Sequence, residues 1–335
     1  MLSVFWLALG GALLYFGAEW LVRGSVSLAF RAGLKPLVIG LTVVAAGTSA
    51  PEMVVSVLSA LRGQGGIAVG NVVGSNICNI LLIAGIAAAI RPLTVQRSLV
   101  RREIPIMIAV SALAVLLLWW GNMLGRLEAG LLVGLLVAST AWSIRTARRE
   151  GADGLPLDDP APADGAHRSR EPGTSGSPDE PATPPYTLTV ARAAGYLVAG
   201  LVVLVLGADR FVSGASELAR AFGIAEAVIG LSVVAIGTSL PELATSIVAA
   251  VRGETDLALG NVVGSNIFNV LGILGVTGLV HPLPLPPGAL LDMAVMVATA
   301  LLVIPLARSG WTLSRSEGVV LVALYAAYLT WLFMR

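Results

Sequence analysis

The sequence predicts an all-α polytopic membrane protein, with ten transmembrane helices in two inverted five-helix repeats. Three observations carry this expectation. Of 335 residues, 56% are hydrophobic and only 12% charged, about half the charged fraction of a water-soluble domain. Apolar runs recur through both halves, each close to the roughly 20 residues a helix needs to cross about 30 Å of hydrocarbon. A long motif also occurs twice at a constant offset.

The spans are expected near 3–22, 37–61, 67–90, 104–120 and 126–144, then 190–210, 227–250, 256–280, 289–307 and 317–334. The first begins almost at Met1, without a basic leader or a small-residue cleavage pattern, and reads as a retained helix. Residues 1–145 form the first unit and 188–335 the second. The intervening 146–187, rich in Pro, Gly and acids, buries too little apolar surface to offset its ordering entropy and reads as a disordered, solvated linker. Sixteen of the 21 Lys and Arg lie on the linker side of the predicted spans, among them Arg91, Arg97, Arg101 and Arg102. The positive-inside bias then puts the linker in the cytoplasm and both termini outside a cell inner (plasma) membrane. Two histidines, His167 and His281, and one cysteine, Cys78, supply neither a structural zinc cluster nor an intrachain disulfide.

Residues 40–83 and 230–273 align at an offset of 190 residues, with 26 of 44 positions identical. That exceeds what shared hydrophobicity explains and points to duplication. Five spans per unit is an odd number, so the second copy enters the membrane from the opposite side. Antiparallel copies bring their equivalent sites together near the bilayer midplane. A fainter echo pairs Glu19 with Asp209, both read as inter-helix or interfacial hydrogen-bonding acids.

The chemistry lies inside the duplicated segments. AAGTSAPE supplies Thr48, Ser49 and Glu52; AIGTSLPE supplies Thr238, Ser239 and Glu242. A carboxylate at membrane depth is costly unless an ion, a proton or a hydrogen-bonding cage compensates it. Thr48 and Glu52, four residues apart, share a helix face, as do Thr238 and Glu242. Pro51 and Pro241 lack an N–H and are expected to loosen the preceding turn, freeing carbonyls near Ala45, Ala46, Ala235 and Ile236. A helix-capping role for Thr48 or Ser49 competes with ion coordination and can coexist with it. In GNVVGSNICN and GNVVGSNIFN, Ser75 with Asn79 and Ser265 with Asn269 offer neutral oxygens on one face. Gly70, Gly74, Gly260 and Gly264 form small-x-x-x-small packing patterns, and Asn71 and Asn261 read equally as struts or ligands. Cys78, matched by Phe268, reads as packing.

If Glu52 and Glu242 meet in one cavity, their charges repel unless a cation sits between them. Calcium neutralises both, and several sodium ions can replace it by using the surrounding oxygens. Magnesium holds its waters too tightly, and soft metals lack soft ligands. Mutually exclusive occupancy then couples two fluxes.

These paired GTSxPE and GNxxGSNIxN segments resemble the alpha repeats of the cation/calcium exchanger superfamily, particularly bacterial sodium/calcium antiporters. The resemblance covers both halves. It implies ten helices in two inverted repeats, alternating access at a central site, and calcium held between Glu52 and Glu242 with support from Thr48 and Thr238. Sodium sites would be built from Ser49, Ser75, Asn79, Ser239, Ser265 and Asn269, with carbonyls at Ala45 and Ala235. Many family members carry aspartate in one repeat at the position of Asn79 or Asn269; this chain has asparagine at both, leaving two central carboxylates. The expected activity is calcium-for-sodium antiport, without a cofactor, by a monomer whose partners are these ions and lipid, and not nucleic acid. A calcium/proton exchanger and a gated cation channel are the alternatives. The central residues contain no nucleophile, base and orienter set for an enzyme.

Overall fold

The structure, a computed structural model, describes residues 2–152, 188–222 and 235–334. Among the described residues ten helical segments follow one another, and they are labelled α1 to α10 in chain order. In the first repeat they are α1 (Leu2–Arg31), α2 (Pro36–Thr48 and Ala50–Leu61), α3 (Gly65–Ile90), α4 (Leu99–Gly121) and α5 (Arg126–Ala152). In the second they are α6 (Val190–Ala221), α7 (Ala235–Thr238 and Leu240–Arg252), α8 (Thr255–Val280), α9 (Ala289–Arg308) and α10 (Arg315–Met334). Among the described residues, seven helices are long and apolar enough to cross a membrane alone, and the two halves of α2, bent by 44°, make an eighth span. The expected beginning of α7 at 227–234, and 153–187 of the expected linker, lie outside the described residues.

Several helices outrun their expected ends. α1 continues to Arg31 and α6 to Ala221, well past the predicted 22 and 210. The expected ends fall where charges appear, yet a long helix can carry charges beyond the hydrocarbon at no cost to its backbone bonding. α5 likewise runs to Ala152 and takes up the first residues assigned to the linker. α4 starts at Leu99 with a π turn, five residues before the expected 104.

α1 and α6 pack along their lengths on a glycine seam. Gly10, Gly17 and Gly24 recur every seven residues, and Gly200, Gly207 and Gly214 repeat the spacing. A Cβ on Gly17 would stand 2.8 Å from the Leu204 backbone nitrogen, and one on Gly200 would stand 2.6 Å from that of Leu21. Only glycine lets two backbones approach so closely, and this approach replaces the hydrophobic drive that lipid does not provide. A second close approach joins α2 to α8. A Cβ on Gly264 would meet the Leu41 carbonyl at 2.5 Å, and one on Gly260 the Leu37 carbonyl at 2.6 Å. Gly260 and Gly264 therefore pack as expected. Their equivalents Gly70 and Gly74 meet nothing within 4 Å among the described residues.

Two short antiparallel strand pairs record the inversion. β1 (Leu93–Thr94), after α3, pairs with β4 (Thr312–Leu313), before α10. β2 (Met123–Leu124), before α5, pairs with β3 (Leu283–Pro284), after α8. Each pair joins the loop after the third helix of one repeat to the loop after the fourth helix of the other. Such loops share a side only if the repeats run oppositely. The β1–β4 face also carries Arg91, whose guanidinium donates to the Val251 carbonyl at 3.4 Å, and Gln96, whose amide donates to Asp256. It is the arginine-rich face.

Candidate functional site

The breaks in α2 and α7 place the site. Ser49 (φ −81°, ψ 8°) and Ser239 (φ −89°, ψ 6°) leave helical geometry, and each is followed by a helix with proline in its first turn. A proline there needs no N–H partner, so the second half-helix starts without loss. Glu52 and Glu242 occupy the first turn of those halves, where the positive end of the helix dipole favours a carboxylate. Both are 1% exposed.

The two acids are bound to each other's repeat. The Ser49 hydroxyl donates to Glu242 Oε1 at 2.8 Å, and the Ser239 hydroxyl donates to Glu52 Oε1 at 3.0 Å. The serines that break each helix thus hold the carboxylate of the opposite one. The remaining oxygens, Glu52 Oε2 and Glu242 Oε2, are buried without a hydrogen-bond partner among the described residues. Leaving a buried acceptor unpaired costs about 1–3 kcal/mol, and more if it is charged.

α3 and α8 supply the surrounding oxygens. Ser75, Asn79, Ser265 and Asn269 are all buried, and Asn79 Oδ1, Ser265 Oγ and Asn269 Oδ1 also lack partners among the described residues. Asn79 and Asn269 each open a π turn, Asn79–Ala84 and Asn269–Leu274, a distortion common where a helix carries function. The Ser75 hydroxyl lies 3.5 Å from that of Ser239, which draws α3 into the same centre.

Struts fix this arrangement in both repeats. The Asn71 amide donates to the Glu52 carbonyl (3.3 Å) and the Ser56 hydroxyl (3.0 Å). The Asn261 amide does the same toward the Glu242 carbonyl (3.4 Å) and Ser246 (3.1 Å). Asn71 and Asn261 are thus positioned as struts. Asn76 and Asn266 cross the midline: the Asn269 amide donates to Asn76 Oδ1 at 3.0 Å, and the Asn76 amide to the Asn266 carbonyl at 3.3 Å. The motifs alone assign no role to Asn76, Asn266, Ser56, Ser246 or Thr245. The first four were findable, because each is paired with its equivalent by the 190-residue offset. Thr245, whose hydroxyl is also buried and unpaired, faces valine at position 55 and left no such trace.

One expectation changes in detail. The Ala45 carbonyl is not freed by Pro51: it accepts the Ser49 amide at 3.1 Å, and the Thr48 hydroxyl lies 3.4 Å away. The helix keeps its bond at Ala45 and bends only after Thr48. In the second repeat the Ser239 amide donates to the Ile236 carbonyl at 3.1 Å, so that carbonyl is engaged. Thr48 is fully buried, and its hydroxyl lies 3.2 Å from Asn261 Oδ1; Thr238 ends the first half of α7. Cys78 is buried and unpaired in any disulfide.

Among the described residues no group of three or more His, Cys, Asp or Glu gathers around one point. The centre is therefore two carboxylates set among neutral oxygens. That donor set suits a hard cation that tolerates variable oxygen coordination, and it offers nothing to a soft one.

The sodium/calcium exchanger protein family matches the chain over residues 2–145 and 192–334. The putative antiporter CaxA of Alkalimonas amylolytica is 36% identical, over 99% of each chain. The inner membrane protein YrbG of Escherichia coli (strain K12) is 37% identical, covering 100% of this chain and 97% of its own. The sodium/calcium exchanger MaX1 of Methanosarcina acetivorans is 35% identical, over 98% and 97%. Among solved structures, the sodium-calcium exchanger NCX_Mj soaked with 10 mM Na+ and 10 mM Sr2+ superposes with a TM-score of 0.79 at 32% identity, over 98% of both chains. The chain belongs to the sodium/calcium exchanger family and shares its ten-helix inverted-repeat fold.

Proposed function

We propose that this member of the family is a secondary antiporter that exchanges calcium for sodium by alternating access. The observation that carries the reading is the pair of unpartnered carboxylate oxygens, Glu52 Oε2 and Glu242 Oε2, joined across the repeats through Ser49 and Ser239. Calcium between the two acids cancels both charges and uses oxygens that otherwise stay unsatisfied, with Thr48 and Thr238 beside it. Sodium ions take the same carboxylates together with Ser49, Ser75, Asn79, Ser239, Ser265, Asn269 and the backbone at Ala45 and Ala235. Because both cargoes need the same two charges, they exclude each other, and each crossing carries one or the other. The site acts as a carrier with no bond of its cargo to break, and it needs no cofactor. One chain supplies both acids, so a monomer suffices.

The related inner membrane protein supports an inner-membrane location. The excess of arginine on the β1–β4 face supports placing that face and the linker in the cytoplasm, with both termini outside.

The test is purified protein in sealed liposomes loaded with sodium and diluted into calcium. Calcium uptake should disappear when choline replaces internal sodium. Uptake indifferent to that replacement and driven by an imposed pH gradient would instead identify a calcium/proton exchanger, and unitary currents would identify a channel.

A further inference from the structure

The site described above does not use one ionic cluster, built on a buried acid and two half-exposed arginines. Glu19 of α1 is 5% exposed. Arg252, at the end of α7, donates to it twice, from Nε to Oε2 at 2.9 Å and from Nη2 to Oε1 at 2.7 Å, and Arg23 donates to Oε1 at 2.6 Å. A two-point guanidinium–carboxylate pair between helices is rigid and directional. It lies toward the arginine-rich face, and α1 packs against Leu240–Arg252 of α7 around it.

The repeat offset turns this cluster into a prediction. Glu19 maps onto Asp209 of α6, and Arg252 onto Arg62, at the end of α2. Both parts of the second pair exist, but it is not made. The Asp209 side chain is 63% exposed, against 7% for Glu19, and among the described residues its ion pair is with its chain neighbour Arg210 at 3.5 Å; Arg62, like Arg252, is exposed. The helices agree with the side chains: α6 scarcely touches Ala50–Leu61 of α2 among the described residues, whereas the equivalent α1 and α7 are in close contact. Inverted repeats convert into each other's shape when the protein switches the side on which it opens. A pair closed in one repeat and open in the other is what a single state of such a cycle looks like.

We propose that Glu19–Arg252 and Asp209–Arg62 are alternating latches, the first closing the arginine-rich face in this structure and the second closing the opposite face after the switch. The inference rests on the alternating-access reading and adds its positioning residues. The latches are unequal. Arg23, the third member of the first, maps onto Ser213, and Asp209 is one methylene shorter than Glu19. The cycle therefore rests with the arginine-rich face shut.

Electron–electron distance measurements between spin labels test this in a Cys78→Ala background. One label pair replaces Trp20 and Val251, and its repeat equivalent replaces Arg210 and Leu61, all exposed positions. The unmodified latches should give a short first distance and a long second one. Glu19→Gln should lengthen the first and bring in the short form of the second together, shifting the ratio of the two states by about fivefold or more. Arg62→Gln added to Glu19→Gln, at an exposed position where folding is not at risk, should shift the ratio back by removing the second latch. The inference is overturned if Glu19→Gln opens the first pair without closing the second, or if adding Arg62→Gln leaves the Glu19→Gln distances unchanged. The distances are read without any ion gradient, so a failure of sodium-driven uptake in liposomes leaves this result standing and faults the choice of cargo instead.

Discussion

The two repeats agree at their centres and disagree at their edges. Around the acids the match is close: Asn71 reaches Ser56 at 3.0 Å and Asn261 reaches Ser246 at 3.1 Å, and each broken helix gives a serine to the other's glutamate. At the edges, Glu19 is buried under two arginines while Asp209 faces outward. A site reached in turn from both sides has to present the same donors to each, so its halves stay alike. The parts that decide which side is open cannot both be engaged at once, so in any one state they differ.

The largest expected effect comes from breaking the likeness of the centre. Glu52→Gln and Glu242→Gln should each lower calcium exchange by ~100-fold or more, because stranding one buried charge without its counterpart costs about 3–5 kcal/mol. Equal losses support a shared ion; a variant that retains near-normal flux would separate the two acids. Next come the cross-repeat serines. Ser49→Ala and Ser239→Ala each remove a hydrogen bond to a carboxylate, worth about 1.5–3 kcal/mol, and initial-rate assays should show calcium affinity falling roughly 10- to 100-fold to the same degree in both.

The glycine seam sharpens the comparison through stability. Gly17→Val and Gly207→Val place side chains within 3 Å of the opposite helix's backbone, and overpacking of this kind costs about 1–3 kcal/mol. Thermal unfolding in detergent should fall by several degrees for both. A fall in one alone would mean that the seam is not used equally by its two helices. The smallest effect belongs to the struts: Asn71→Ala and Asn261→Ala should each cost about 1 kcal/mol, seen as a modest fall in the same transition. Because both struts also hold the backbone of a glutamate, their exchange rates should drop more than their stabilities.

Much of this was legible in the residues because duplication leaves a trace. Glu52 with Glu242 and Asn79 with Asn269 stand out by recurring at one offset, and five spans per copy fix the inversion that the β1–β4 and β2–β3 pairs display. The glycines of α1 and α6 were equally visible at their seven-residue spacing, yet hydropathy does not weight glycine, and the seam goes unnoticed when spans are sought by apolar content. Other features had no local signal. The π turns at Asn79 and Asn269 fall inside uninterrupted apolar spans that read as plain helix. The Ala45 carbonyl stays bonded because the chain bends one turn later than proline alone suggests. α1 and α6 run past their expected ends because a charge marks the edge of hydrocarbon, not the end of a helix.

The central claim is that one divalent ion is held jointly by one acid from each repeat. Equilibrium dialysis of the purified protein against radiolabelled calcium, with sodium replaced by choline, measures it directly. The account predicts one calcium per chain in the unmodified protein and no saturable binding in either Glu52→Gln or Glu242→Gln. Two calcium ions per chain, or one calcium retained at unchanged affinity in either variant, would contradict it.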